Sequence, residues 1–150
     1  MKKLQYNSPV ILSFFFLSLL ALVLGYLTKG WTTSALFSVY RSSLANPLTY
    51  VRFLGHVLGH ADGSHFMGNM LLLLVVGPPM EEKYGSRSLL AAIVLTALVS
   101  GVLHFLLFPG TALLGASGIV FMLIMLGSLS GMREGKIPLT LLLVGALYLG

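Results

Sequence analysis

The chain has 150 residues, of which 57% are hydrophobic and only 9% are charged. Because a soluble domain carries about 25% charged residues, this composition excludes a water-soluble globular protein and predicts an integral membrane protein. The net charge of +5 is spread along the chain in ones and twos, which favours loops beside an anionic membrane over a nucleic-acid-binding patch.

The first predicted element is a membrane-spanning helix over residues 9–27, a charge-free run close to the ~20 residues that a bilayer core requires. Lys2 and Lys3 precede it, as in a signal peptide. The run is longer than the ~7–15 apolar residues of a signal peptide, however, and no Ala-x-Ala-like cleavage site follows. We therefore expect a retained helix. Residues 28–63 are too polar to span and are expected to form interfacial structure.

Four further helices are predicted at residues 64–76, 88–108, 113–132 and 137–150. The Gly77-Pro78-Pro79 run is expected to end the second helix, and the charged residues after it to form a polar loop. The last helix has only 14 residues before the sequence ends, which is fewer than a crossing needs. We therefore expect an incomplete chain.

The basic residues predict the orientation. With the N-terminus in the cytoplasm, six lysines and arginines lie inside and three outside, as the positive-inside rule requires. The six are Lys2, Lys3, Lys83, Arg87, Arg133 and Lys136, and the three are Lys29, Arg41 and Arg52. The starts of the second and fourth helices then both face outward. Two N-terminal lysines without an organelle-targeting pattern suggest a bacterial plasma membrane.

Polar residues occur at both of these outward-facing helix starts. His65 and Asn69 are four positions apart, so they share one face of the second helix. Polar side chains within a membrane mark a site or a wet cavity, but they also join helices in bundles, and this pattern alone does not decide.

Ser117 is predicted to lie about four residues, or ~6 Å, inside the fourth helix. Its small neighbours are typical of close helix packing, and they would also admit a substrate. N–H groups in the first turn could hold an oxyanion.

Together these motifs resemble the rhomboid family of intramembrane serine proteases. The family's arrangement is matched by His60-x-x-x-x-His65-x-x-x-Asn69 in a second helix and Gly115-x-Ser117-Gly118 in a fourth. Supporting matches are Arg52, Gly77, Glu81, Glu82, Lys83, Tyr84 and Gly85. The resemblance covers about residues 50–132. It implies an all-α membrane protein, a polytopic transmembrane helix bundle of six helices. Residues 1–150 would form one rhomboid-like domain with four helices and part of a fifth.

The resemblance also implies roles for individual residues. Ser117 would be the nucleophile, and His65, Asn69 and the Ser117 backbone N–H would form the oxyanion hole. The residues lining the site would be His60, Gly115, Gly118 and Phe121. The expected substrates are transmembrane proteins, cleaved in the lipid bilayer near its outer face, and no cofactor or metal is expected.

The family's base is a histidine on the sixth helix, which lies beyond the sequence, and serine is a weak nucleophile without a positioned base. Phe121 stands where relatives often carry a tyrosine against that histidine, so the ring is kept and the hydroxyl is lost. His104, near the outer end of the third helix, could substitute as base. A hydrogen bond to a neighbouring helix is its simpler interpretation.

Other chemistries have less support. His56 and His60 have a metal-ligand spacing, but no third ligand is evident. The absence of cysteine excludes thiolate chemistry. An aspartyl dyad needs two neighbouring carboxylates, and Asp62 is the only aspartate. Neither transporter repeats nor a phosphate-binding loop is found.

Two functions remain. The first is an intramembrane serine endopeptidase, and the second is a catalytically inactive rhomboid-like protein that binds transmembrane helices. The retained Ser117, His65 and Asn69 favour the endopeptidase, because a binding protein has little need for an oxyanion hole.

Overall fold

A computed structural model describes residues 6–132 of the chain, and these residues are mainly helical. The helices are α1 (Pro9–Leu27), α2 (Trp31–Leu36), α3 (Pro47–Gly55), α4 (Gly63–Tyr84), α5 (Ser86–Leu107) and α6 (Ser117–Met132). No strand occurs in this range, where Val39 and Leu113 form an isolated antiparallel bridge. The predicted all-α class is confirmed for these residues. The helix predicted from residue 137 lies outside them.

Helices α1 and α5 are long and apolar enough to cross a membrane, judged by length and composition. Both expose large apolar side chains, including Leu20 and Val23 on α1 and Leu95 and Leu103 on α5. A bilayer suits such surfaces, since a helix satisfies its own backbone hydrogen bonds in lipid. Membrane crossing by α4 and α6 stays a prediction.

Helix α4 contacts α1, α5 and α6. Its buried residues Phe66, Met70 and Leu73 recur every three or four positions, which places them on one helix face. Gly77 continues that face, and a Cβ added to it would lie only 2.6 Å from Cδ1 of Ile11 on α1. The glycine therefore allows α1 and α4 to pack closely, as small residues do in membrane bundles.

The prediction that this helix ends at the Gly77-Pro78-Pro79 run is wrong. Helix α4 continues through both prolines to Tyr84, although each proline lacks an N–H and crowds the preceding turn. Tertiary contacts outweigh the local preference. The turns beyond the prolines are packed between α1 and the start of α5, so the helix continues where an isolated segment would stop.

Glu81 provides the main contact of those turns. The sequence places it in a polar loop, which is also wrong, because it is helical and buried. Its carboxylate accepts the N–H groups of Val10 and Ile11 at 3.0 and 2.9 Å and the Ser86 hydroxyl at 2.7 Å. A carboxylate at the positive N-terminal end of α1 is favourable. Glu81 thus joins α1, α4 and the start of α5.

Helix α6 also starts later than predicted, at Ser117 instead of residue 113. Leu113 exchanges two backbone hydrogen bonds of 2.9 Å with Val39, and Gly115 has φ +121°. Neither is compatible with a helix. The predicted depth of Ser117, four residues inside the helix, is therefore wrong, because Ser117 is the first helical residue.

The polar segment 28–63 contains α2 and α3 and is organised around Arg52. This buried side chain donates to the Ala35 carbonyl and the Ser42 hydroxyl, and it lies 4.6 Å from the centre of the Tyr40 ring. Helix α3 packs against both α2 and α5. The turn that follows α3 is therefore held in place, and it carries His56 and His60.

Candidate active site

The N-terminal end of α4 positions two of the predicted site residues. Asp62 caps the helix, and its side chain accepts the His65 N–H at 2.9 Å, which satisfies a first-turn donor. Because the helix is regular from Gly63, His65 and Asn69 follow each other by one turn on the same face. His65 is exposed and Asn69 is half-buried.

The loop before α6 is anchored to the turn after α3. The Gly115 N–H donates to the His56 carbonyl at 2.8 Å, and the Ala116 N–H donates to His60 Nε2 at 3.3 Å. The φ of +121° at Gly115 is accessible to glycine but strained for other residues. These contacts direct the chain into α6 with Ser117 at its start.

Ser117 is the first residue of α6, and the backbone N–H groups of this first turn have no acceptor within the helix. The first intrahelical bond runs from the Val120 N–H to the Ala116 carbonyl at 2.9 Å. The N–H groups of Ser117, Gly118 and Ile119 precede that bond and have no acceptor within the helix. A helix start of this kind attracts an anion.

These pieces line an open cavity of about 350 Å³, hereafter the serine cavity. Its lining includes His60, Ser64, His65, Asn69, Gly115 and Ser117. The structure therefore brings the predicted nucleophile together with both predicted side chains of the oxyanion hole. Asn69 approaches closely enough that its Nδ2 would lie 3.8 Å from a Cβ on Gly115.

A second cavity of about 270 Å³, hereafter the apolar cavity, also adjoins Ser117. Gly118, Phe121 and Val57 contribute to its lining, and Ser117 and Gly115 line both cavities. All the predicted lining residues therefore surround Ser117, with His60 in the serine cavity and Gly118 and Phe121 in the apolar cavity.

Comparison with known proteins shows the family of the chain. The family model of the Rhomboid domain matches residues 47–148, which is more than half of the chain. This chain belongs to the rhomboid family. It is similar to Rhomboid-related protein 2 of Mus musculus, with 36% identity over 90 residues. That alignment covers 53% of this chain and 29% of the mouse protein, so this rhomboid spans less than a third of its relative's length.

No base for Ser117 is found among the described residues, 6–132, which include no hydrogen bond at the serine hydroxyl. His104 has other hydrogen-bond partners. The Nε2 atom of His104 lies 3.1 Å from the carbonyl oxygen and 3.2 Å from the hydroxyl of Thr111. It therefore bonds to the loop after α5 and not, as expected, to a neighbouring helix, and it lines neither cavity at Ser117.

The two histidines of the turn after α3 have different partners. His56 donates from Nε2 to the Ala97 carbonyl at 2.9 Å, whereas His60 Nε2 accepts the Ala116 N–H. Within residues 6–132, no three His, Cys, Asp or Glu residues are grouped so as to hold a metal ion. Each imidazole instead supports a backbone contact beside the site.

Burial is the main influence on the charge of both histidines. It lowers the pKa of His56 and of His60 below the usual histidine value, because the charged ring loses its hydration. The Ala97 carbonyl opposes this at His56 and the Leu58 carbonyl at His60, while His65 lowers the pKa of His60 further. Both rings are therefore neutral near pH 7.

Sequence reasoning missed the anchoring of Ser117. The bond from Ala116 to His60 and the bond from Gly115 to His56 join segments far apart in the chain. The available signal was the recurrence of histidine at positions 56 and 60, which suggested a metal pair. Ala116 carried no signal, since its backbone makes the contact.

Proposed function

We propose that this rhomboid is an intramembrane serine endopeptidase in which Ser117 attacks the scissile carbonyl carbon. One observation carries the proposal. Ser117 lies at the N-terminal end of α6, where the N–H groups have no acceptor within the helix, and it lines the serine cavity together with His65 and Asn69. Family membership supports the same function. The combination of nucleophile, anion-binding helix start and two polar side chains suits acyl transfer.

The chemistry follows from this placement. As the Ser117 oxygen bonds to the carbonyl carbon, its proton passes to a base and the carbonyl oxygen becomes an oxyanion. The Ser117 N–H, with His65 and Asn69, would donate to that oxyanion. The carbon–nitrogen bond then breaks, and the amine leaves with the proton. Water, with its proton removed in the same way, attacks the acyl-serine and releases the acid.

The base would need to reach the Ser117 hydroxyl, and we assign its approach to the side of the apolar cavity. Phe121 lines that side and offers an apolar ring against which an imidazole can pack. The serine cavity is lined by His60 and His65, and His60 Nε2 already accepts the Ala116 N–H.

The expected substrates are transmembrane helices that unwind near the outer face of the membrane, and the serine cavity is polar enough to admit water. The proposal includes an N-terminus in the cytoplasm and a location in a bacterial plasma membrane, both based on the distribution of basic residues.

The alternative function is that of a rhomboid that binds transmembrane helices without cleaving them, which would need no base at the Ser117 hydroxyl. An activated serine separates the two functions, because it reacts with a fluorophosphonate and an unactivated serine does not.

The test uses the product of the intact gene in membranes, with a model transmembrane substrate and a fluorophosphonate probe. We expect cleavage and labelling by the wild type and neither by Ser117→Ala. The control Ser88→Ala removes an exposed serine from α5 and should change neither. Cleavage by Ser117→Ala would exclude the nucleophile assignment. Substrate binding without cleavage or labelling would establish the second function.

A further inference from the structure

His60 belongs to the turn after α3, and its buried side chain contacts the start of α6. Only 4% of its surface is exposed, and Nε2 accepts the Ala116 N–H at 3.3 Å. A backbone N–H can only donate, so Nε2 must be unprotonated and the ring proton must lie on Nδ1. The structure thus requires one particular tautomer.

The bonded partner, Ala116, is the residue directly before Ser117. Both of its backbone groups are engaged, since its N–H donates to His60 and its carbonyl accepts the Val120 N–H at 2.9 Å. Ala116 is fully buried, and its methyl group cannot cap the helix. Its position therefore determines where the first turn of α6 begins.

The loop before Ser117 is held at three successive points. Leu113 bonds to the backbone of Val39, and Gly115 bonds to the His56 carbonyl. Both partners are backbone groups, which any residue could supply. Only the third point, at Ala116, depends on the chemistry of a side chain.

The surroundings of His60 limit the movement of its side chain. The Phe66 ring lies nearly perpendicular to the imidazole, with centroids 5.6 Å apart. One residue earlier, a Cβ on Gly59 would overlap the Phe37 carbonyl, so the backbone that carries His60 is closely packed. A closely packed backbone and a neighbouring ring suit a positioning group.

The surroundings keep the ring neutral. Burial and the nearby His65 lower the pKa of His60, against the opposing effect of the Leu58 carbonyl. The other charged or titratable groups around it are Lys29 and Tyr26, which line a neighbouring cavity together with His60, and Asp62, which caps α4. Protonation would remove the acceptor that Ala116 uses.

We propose that His60 is a positioning residue, which accepts the Ala116 N–H as a neutral imidazole and so sets the place of Ser117 and its first-turn N–H groups. The proposal rests on the proposed function of Ser117, but the hydrogen bond itself is testable without catalysis.

The first experiment examines the bond by NMR of the chain labelled with ¹⁵N at histidine and alanine, in nanodiscs. The His60 signals are assigned by their loss in His60→Gln. We expect a neutral ring near pH 7 with the proton on Nδ1, and an Ala116 amide shift that changes as His60 becomes protonated. The proposal would be overturned by a neutral ring with its proton on Nε2, or by an Ala116 amide shift that stays constant while His60 becomes protonated. Either result holds whether or not the protein is a protease.

The second experiment measures substrate cleavage by His60→Leu and His60→Gln. Leucine cannot accept a hydrogen bond, and displacement of Ser117 by about 1 Å should lower kcat about 10²-fold with little change in KM. Glutamine Oε1 is as many bonds from Cβ as Nε2 and can accept the same N–H. We expect it to restore most of the lost kcat.

His104→Leu is the matched control, because His104 also bonds to the loop between α5 and α6 but at Thr111. Its kcat should stay within about twofold of wild type, as for a change distant from the reacting groups. If His60→Leu is too unstable to assay, His60→Gln and the NMR titration remain. A folded His60→Gln no faster than His60→Leu, a His60→Leu as fast as wild type, or an equal loss in His104→Leu would contradict the proposal.

Discussion

A polar cluster lies at each end of α4, and each cluster includes the N-terminal end of another helix. One cluster stabilises the fold, and the other lines the candidate site. At one end, the Glu81 carboxylate accepts two N–H groups from the start of α1 and the Ser86 hydroxyl. At the other end, the first-turn N–H groups of α6 have no acceptor within the helix, and its first residue, Ser117, lines the serine cavity with His65 and Asn69. The clusters are 16 residues apart along α4, about 24 Å at 1.5 Å per residue.

The difference shows how a helix start becomes structural or reactive. A helix start with a protein carboxylate bound to it is satisfied and joins elements together. A helix start without one can receive an anion that forms during a reaction. Changes in the Glu81 cluster should therefore alter stability, and changes in the Ser117 cluster should alter the rate.

The largest of these effects is expected for Asn69→Ala. Loss of an oxyanion donor should lower kcat and kcat/KM together by about 10²–10³, or 2.7–4 kcal/mol, while the bundle stays folded. Cleavage kinetics measure the rate, and unfolding in SDS measures the stability. The control Asn7→Ala, an exposed asparagine before α1, should leave both unchanged. A wild-type kcat in Asn69→Ala would remove Asn69 from the oxyanion hole.

A smaller effect is expected for Glu81→Gln. The amide is neutral and has one accepting oxygen in place of two. Both N–H groups, of Val10 and Ile11, therefore lose a charged acceptor, and one of them faces the donating amide nitrogen. Hydrogen bonds to charged groups contribute about 1.5–3 kcal/mol, and we expect a loss of this size in SDS unfolding. Glu82→Gln removes the same charge at the exposed neighbouring position and should have little effect. The comparison fails if Glu81→Gln lowers kcat and leaves stability intact.

The smallest expected effect is a loss of folding stability at acidic pH. The pKa values of His56 and His60 are lowered by burial in the folded chain, so the unfolded chain, with a histidine pKa of about 6.5, binds protons more readily. The free energy of unfolding should therefore have its full value above pH 7 and should decrease as the pH drops below about 6.5. The slope should reach at most about 1.4 kcal/mol per pH unit for each histidine.

Unfolding of the wild type and His60→Gln at several pH values measures this slope. The glutamine variant retains only the contribution of His56, and its slope should be shallower. An identical slope in both proteins would show that His60 does not contribute to the acid response.

Part of the candidate site could be predicted from local pattern, since His65 and Asn69 share a helix face because four residues make about one turn. The other lining residues were implied by the family resemblance, and they lie along the two cavities at Ser117. The helix boundaries were harder to predict from the sequence. A Gly-Pro-Pro run ends most helices, and nothing near it in the sequence indicates that Glu81 will bond to α1.

The sequence by itself determined that this is a helical membrane protein of the rhomboid family, because composition and motif spacing are local properties. The tertiary structure decided the passage of α4 through two prolines, the start of α6 at Ser117 and the bond between His60 and Ala116. The contacts at Glu81 and His60 join residues 70, 71 and 56 positions apart. Such bonds form only once packing has removed the competing water, so a local sequence pattern does not predict them.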